Sequence, residues 1–291
     1  MAYDSVRDVV VLYGGNATGW PYEDTTWEFD GTDWNVITTT LSPAARYGTS
    51  LAYDPVRQVM VLFGGGNQKD RALNQTWTYG NTEWVNVSPG TSPLSRTYAS
   101  MATNPVSGTI YLFGGNEYKT YFNDLWRYED GAWTEITPNG DAPPARTLAA
   151  MTYVPSLLAG GTEGGLLLFG GRTVTGTLLA DLWAFDPVSE TWTELDDGSG
   201  EGPSERMAHS LSYDLGTGKV VLVGGITDEG DTRLGDTWHY TPLSSPPPGG
   251  TQEGWTEANP TTLLPPRAYH QAVYTNNAIL LFSARQLWRY K

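Results

Sequence analysis

Three groups of side chains in this 291-residue chain have the types and spacing to do chemistry. Five arginines, Arg46, Arg96, Arg146, Arg206 and Arg267, recur at similar intervals, each opening a stretch of small and apolar residues such as TSLAYD at 49–54. Guanidiniums gathered in this way suit a carboxylate ligand, and their regularity suits equally a repeated tie between neighbouring structural units. A second group lies in loops that follow apolar runs. Residues 16–24 hold Trp20 and Tyr22, and 66–75 hold Lys69 and Arg71. The segment 116–124 holds Tyr118, Lys119, Tyr121 and Phe122, while Arg172 and Arg233 stand in 172–181 and 226–236. Aromatic rings beside cations suit sugar stacking or peptide anchoring. The third group is three histidines, of which His209 and His270 each follow one of the five arginines by three residues. Two imidazoles without a third ligand make a poor transition-metal site. The acidic runs at 196–202 and 228–231 lack the alternating spacing of a calcium loop and read as solvated turns. The chain carries no catalytic or metal constellation, and no cofactor is expected.

The elements that position these groups come from an internal repeat. Apolar runs end in Gly-Gly at 14–15, 64–65, 114–115, 170–171 and 224–225, and a sixth run, AILLFSA at 278–284, lacks both glycines. Each run is followed by a Trp-x-aromatic pair: Trp27/Phe29, Trp77/Tyr79, Trp126/Tyr128, Trp183/Phe185, Trp238/Tyr240 and Trp288/Tyr290. A second tryptophan stands at 34, 84, 133, 192 and 255, and a proline-containing turn then leads to the next arginine. One unit is therefore four strands, with turn residues between them. A sheet of this size cannot bury both faces alone, so copies must stack on one another. Eleven of the 12 tryptophans occupy repeat positions and are assigned to the core between units; Trp20 is the exception.

These residues resemble the kelch motif, a Gly-Gly after an apolar strand with two aromatic positions at set spacing, over essentially the whole chain. The resemblance implies an all-β, six-bladed kelch-type β-propeller of four-stranded antiparallel blades. The expected domain is a single propeller over 1–291, with blades at about 1–38, 46–88, 96–137, 146–195, 206–257 and 267–291. The first and last blades are expected to be incomplete, because residues 1–4 align with the tail of a first strand and 287–291 with a third. In kelch propellers the loops between second and third strands share one face with the turns into the first strands. That face is the expected ligand site, with the strand-opening arginines beneath it. His is also usual at the position of His209 and His270 in such repeats, while His239 falls at a solvated one.

Composition narrows the partners. Thirty-two acidic against 17 basic side chains give a net charge of −15, which disfavours nucleic acid and anionic membrane. No apolar run reaches the length of a membrane helix, so no membrane insertion is expected. With no cysteine the chain has neither disulfides nor thiol catalysis, and the crosslinked copper site of galactose-oxidase-type kelch enzymes is closed to it. Glu229 is followed four residues on by Arg233, so the iron triad of plant specifier proteins is also missing. The leading expectation is a non-catalytic interaction module for a protein or glycan. A sugar-modifying enzyme of the kelch mutarotase type and a structural domain of a larger surface protein are the alternatives. An extracellular or cell-surface setting is slightly favoured; oligomeric state is left open.

Overall fold

The computed structural model describes residues 1–15, 21–155, 157, 164–227, 232–242, 254–258, 264–275, 278–283 and 286–290. Trp20 and the acidic run 228–231 lie outside them. The chain divides into two compact units, Met1–Ile136 and Thr137–Lys291. Each contains three of the repeat sheets, so there are six blades, and no helix long and apolar enough to cross a membrane occurs among the described residues.

Blade 2 illustrates how the sequence makes a sheet. Its strands are Ser50–Asp54, Val59–Phe63, Thr76–Gly80 and Glu83–Asn86, paired in that order. Asp54 closes the first hairpin, where its Oδ1 accepts the amides of Val56 and Arg57 at 3.0 Å. Gln58 completes the reversal in left-handed backbone. Asp4, Asn104 and Asp214 accept turn amides in the same way in blades 1, 3 and 5. The second strand, VMVLF, is apolar throughout because both its faces are covered. Met60 and Leu62 pack with Val11 and Tyr13 of blade 1, whereas Val61 and Phe63 pack with Ile110 and Leu112 of blade 3. In the second unit the same alternation puts Val220 and Leu222 against blade 4, and Val221 and Val223 against blade 6.

Tryptophan locks these contacts. The fourth-strand Trp84 stacks on Tyr79 of its own blade and edge-on to Tyr13 of the preceding one. Its indole donates to Thr26 Oγ1 at 2.8 Å. Trp133 repeats the arrangement with Tyr128, Phe63 and Thr76. Six of the repeat tryptophans are buried, and Trp27, Trp34, Trp238, Trp255 and Trp288 are half-buried. Blade 1 has four strands, with a first strand of only three residues, Ala2–Asp4. Blade 6 has three among the described residues.

Candidate interaction face

Each glycine pair reverses the chain through left-handed backbone, as Gly64 and Gly65 do in blade 2, a conformation that disfavours any other residue. The residue beyond the pair then returns to the turn that opens its own blade. Gly66 and Tyr47 exchange both main-chain hydrogen bonds at 2.9 Å, and Asn116 with Thr97, Arg172 with Thr147 and Ile226 with Met207 do likewise. In each unit, the second-to-third-strand loops and the turns into the first strands therefore lie on one face.

Below that face sit the five arginines, 0–3% exposed. Arg146 donates Nε to Pro144 O and Nη1 to Gly170 O, and its fork meets both oxygens of Asp181 at 2.6 Å. Arg96 with Asp124 and Arg206 with Asp236 repeat this geometry. Where those arginines meet an aspartate, Arg46 meets the amide oxygen of Gln75, at 2.8 Å, and its guanidinium is held below the ordinary arginine value by burial. Arg267 lies 3.8 Å from the ring centroid of Trp288. Main-chain carbonyls complete the pattern: Gly15, Gly65, Gly171 and Gly225 donate to the oxygens of Arg46, Arg96, Arg206 and Arg267 in the following blade. These arginines tie blades together, and their side chains do not reach the surface. The aspartates two residues before Trp126, Trp183 and Trp238 also accept the indole hydrogen of those rings at 2.7–2.8 Å.

Two residues beyond each arginine the backbone is again left-handed, at Gly48, Tyr98, Leu148, Ala208 and Tyr269. Their main chains link neighbouring blades: Tyr98 N donates to Gly48 O, Ala208 N to Leu148 O and Tyr269 N to Ala208 O. Four of the five are not glycine, so conformational strain is held at this rim.

In the first unit the face is aromatic and cationic. Tyr22, Tyr47 and Tyr98, all half-buried, form a row with centroids 4.7 and 5.9 Å apart. Gly66 lets Tyr47 lie so close: a Cβ there would meet the Tyr47 ring and collide with the Arg71 carbonyl. Burial and the neighbouring Tyr22 raise the Tyr47 hydroxyl above its ordinary value, with the Arg71 cation opposing. Arg71 stands 4.7 Å from the centroid of the Tyr118 ring. Lys119 stands 5.6 Å from the same centroid. Both are within the range of cation–π attraction. Tyr118 and Lys119 are the two tip residues of a small hairpin, Asn116–Glu117 with Thr120–Tyr121. The first tip position needs positive φ, which Asn or Gly adopts readily. Here Tyr118 takes it, and its side chain stands out, the residue being 62% exposed. Beside Tyr22 a cavity of about 220 Å³ is lined by Pro21, Ala44, Ala45, Asn67, Gln68 and Lys69.

The structure thus brings Tyr22, Lys69, Arg71, Tyr118 and Lys119 onto this surface and adds Tyr47 and Tyr98. The signal for those two was available, since the residues after each arginine vary among copies. Phe122 belongs elsewhere: its ring covers the buried Arg96 at 4.1 Å. Tyr121 is half-buried at the hairpin base, opposite Asn116. Arg172, half-buried, and Arg233, exposed, occupy the corresponding loops of the second unit.

That unit differs in character. A cavity of about 650 Å³ is lined by Asp181, Glu194, Asp197 and Glu205 among others. Burial and the charges of Asp181 and Asp197 raise Glu194 above its ordinary value. His209 and His270 are buried, the first edge-on to Phe169 and the second 2.8 Å from Ser210 Oγ in the preceding blade. His239, expected in solvent, is half-buried, with Nε2 2.9 Å from the Tyr290 hydroxyl. No group of three or more metal-ligating side chains gathers among the described residues.

The KLHDC2/KLHL20/DRC7 Kelch-repeats domain model matches residues 2–167. The chain is similar to the F-box/kelch-repeat protein At1g51550 of Arabidopsis thaliana, 32% identical over 171 residues that cover 55% of this chain and 34% of that protein. Kelch domain-containing protein 3 of Homo sapiens is 33% identical over 107 residues, 36% of this chain and 25% of that one. Multiple epidermal growth factor-like domains protein 8 of Homo sapiens is 36% identical over 83 residues, 27% and 3% respectively. The matches span about a third or less of the length of these relatives.

Proposed function

We propose that this chain, which belongs to the Kelch-repeat family, is a non-catalytic interaction module whose partner is a protein segment docking on the loop face of blades 1 to 3. One observation carries the reading: half-buried tyrosines and exposed cations share a surface while the repeat tryptophans and arginines are consumed by the scaffold. Large aromatic and arginine side chains are the usual anchors of interfaces. Lys69, Arg71 and Lys119 stand out in a chain of net charge −15, so a partner is steered here by complementary potential.

The alternative of a sugar-modifying enzyme asked for guanidiniums open to a substrate. With Arg96, Arg146 and Arg206 each engaged by an aspartate out of solvent, that reading loses its motivation.

A random-peptide display library selected on the chain tests the proposal. Selected ligands are expected to lose affinity in Tyr47→Ala and Arg71→Ala, and to bind more weakly as salt rises. Ligands that keep full affinity in both point variants would place the partner elsewhere.

A further inference from the structure

The chemistry of the partner segment is written in what this face offers and what it withholds. Peptides that add a strand need free main-chain groups, but those of Tyr47, Gly66, Thr97 and Asn116 are already exchanged with one another. Amphipathic helices need an apolar groove long enough for anchors over two turns. The apolar surface here is instead a short row of three rings, Tyr22, Tyr47 and Tyr98, with centroids 4.7 and 5.9 Å apart and tilted by 43° and 51°. The row is comparable in length to one turn of a polyproline II helix, roughly 9 Å for three residues. At its Tyr22 end the cavity of about 220 Å³ is large enough for a pyrrolidine ring, and Asn67, Gln68 and Lys69 line it with side-chain donors. A polyproline II segment leaves its carbonyls unpaired and so supplies acceptors for such donors.

Beside the middle ring of the row, Tyr47, stands a charge device. Arg71 is near both Tyr47 and Tyr118, and Lys119 approaches the same Tyr118 ring. Two cations held against one exposed ring repel one another until an anion lies between them. The left-handed backbone of Tyr118 maintains this arrangement at a conformational cost.

We infer that the docking segment is a proline-rich stretch in the polyproline II conformation, whose rings stack along Tyr22, Tyr47 and Tyr98 while a flanking carboxylate reaches Arg71 and Lys119. The inference rests on the placement of the partner on this face and adds the partner's chemistry.

Fluorescence polarisation on the whole chain tests it with three labelled peptides: ten prolines followed by two aspartates, ten prolines followed by two lysines, and a Gly-Ser decamer followed by two aspartates. Cellohexaose serves as the glycan arm. The proline–aspartate peptide is expected to bind, and the lysine and Gly-Ser versions at least about tenfold more weakly. Tyr98→Ala and Tyr118→Ala are each expected to weaken the first peptide by about tenfold or more, with near-ultraviolet circular dichroism unchanged. Val106→Ala, at an exposed turn between first and second strands, is expected to leave affinity as it was. Equal binding of the Gly-Ser peptide, failure of the proline–aspartate peptide at millimolar concentration, or cellohexaose binding that disappears in Tyr98→Ala would each overturn the inference. Display-selected ligands that contain no proline yet depend on Tyr47 would overturn it too, and leave the placement of the partner standing.

Discussion

Blade 2 lacks the carboxylate that blades 3 to 5 place against the buried arginine, and Gln75→Asp supplies it. Arg46 is 0% exposed and donates to Ala44 O at 2.8 Å, Gly64 O at 3.0 Å and Gln75 Oε1 at 2.8 Å. Its charge is thus met by carbonyl oxygens alone. In blades 3 to 5 the same guanidinium forks onto an aspartate at 2.6–2.8 Å. Position 75 lies two residues before Trp77, as Asp124 does before Trp126, so the shorter side chain has a template to follow. Replacing one bond to a neutral acceptor by two to a carboxylate, less the cost of desolvating that carboxylate, is expected to stabilise by about 1–2 kcal/mol. The Trp77 indole, now 3.4 Å from Gln75 Oε1, is expected to shorten its bond as well. The converse changes fall in blade 4: Asp181→Gln is expected to lose about 1–2 kcal/mol, and Asp181→Ala, which strands Arg146, about 3–5 kcal/mol. Urea unfolding followed by tryptophan fluorescence at pH 7 measures all three, and the differences should barely change with salt because the pairs are buried. If Gln75→Asp destabilises the chain, or Asp181→Ala costs less than about 1 kcal/mol, the fork is not what secures a blade.

Acid is expected to act through the buried imidazoles. Desolvation and the cations Arg206 and Arg267 hold His209 well below its ordinary value and His270 at about 3. The fold therefore keeps both neutral, while the unfolded chain protonates first, at about 6.5. Their stabilisation is complete above that value and is lost as pH falls towards 3. Unfolding curves from pH 7 to 4 should therefore steepen in the native chain and flatten in His209→Ala/His270→Ala, which copies Ala99 and Ala149; parallel curves would show the histidines to be bystanders. At the strained rim, Ala208→Gly removes a left-handed alanine and is expected to raise stability by about 0.5–1 kcal/mol after the lost methyl is counted. Gly48→Ala should do the reverse, since the new methyl would lie 3.0–3.2 Å from Tyr98 and Thr97. Thermal unfolding of the pair, with equal shifts of one sign, would contradict the strain argument.

The blades were legible because their cause is periodic: glycine pairs, double aromatics and opening arginines recur, and recurrence is what stacking requires. The structural role of the arginines could be argued from regularity, but their partners could not be named without noticing Asp124, Asp181 and Asp236 at one fixed step before tryptophan. The rim escaped altogether. Left-handed backbone is normally announced by glycine or asparagine, and here Tyr98, Leu148, Ala208 and Tyr269 adopt it because bonds from neighbouring blades hold them there. Tyr47 and Tyr98 belong to different repeats, so their meeting with Tyr22 is a product of stacking that no local pattern contains. Phe122 reads as a free ring in the sequence for a similar reason, since the cation beneath it, Arg96, lies in the turn that opens the blade.

The opening arginines also mark where such a gene can be cut. In blades 3 to 5 the guanidinium reaches forward to a glycine and an aspartate of its own blade, and the carbonyls of Arg96 and Arg206 accept backward from a glycine of the blade before. A coding segment that runs from just ahead of one arginine to just ahead of the next therefore encodes cation, anion and glycine pair together. At each seam it presents half of a bond that any sibling completes. Unequal crossing-over at these seams adds or deletes copies in phase, and in blades 3 to 5 each buried arginine stays with its aspartate. A breakpoint between the arginine and its acid, 28 to 35 residues downstream, leaves an unmatched cation in one product and an unmatched carboxylate in the other. A duplication by whole blades therefore keeps such a cation with its anion, whereas a smaller rearrangement separates them and leaves a buried charge unpaired.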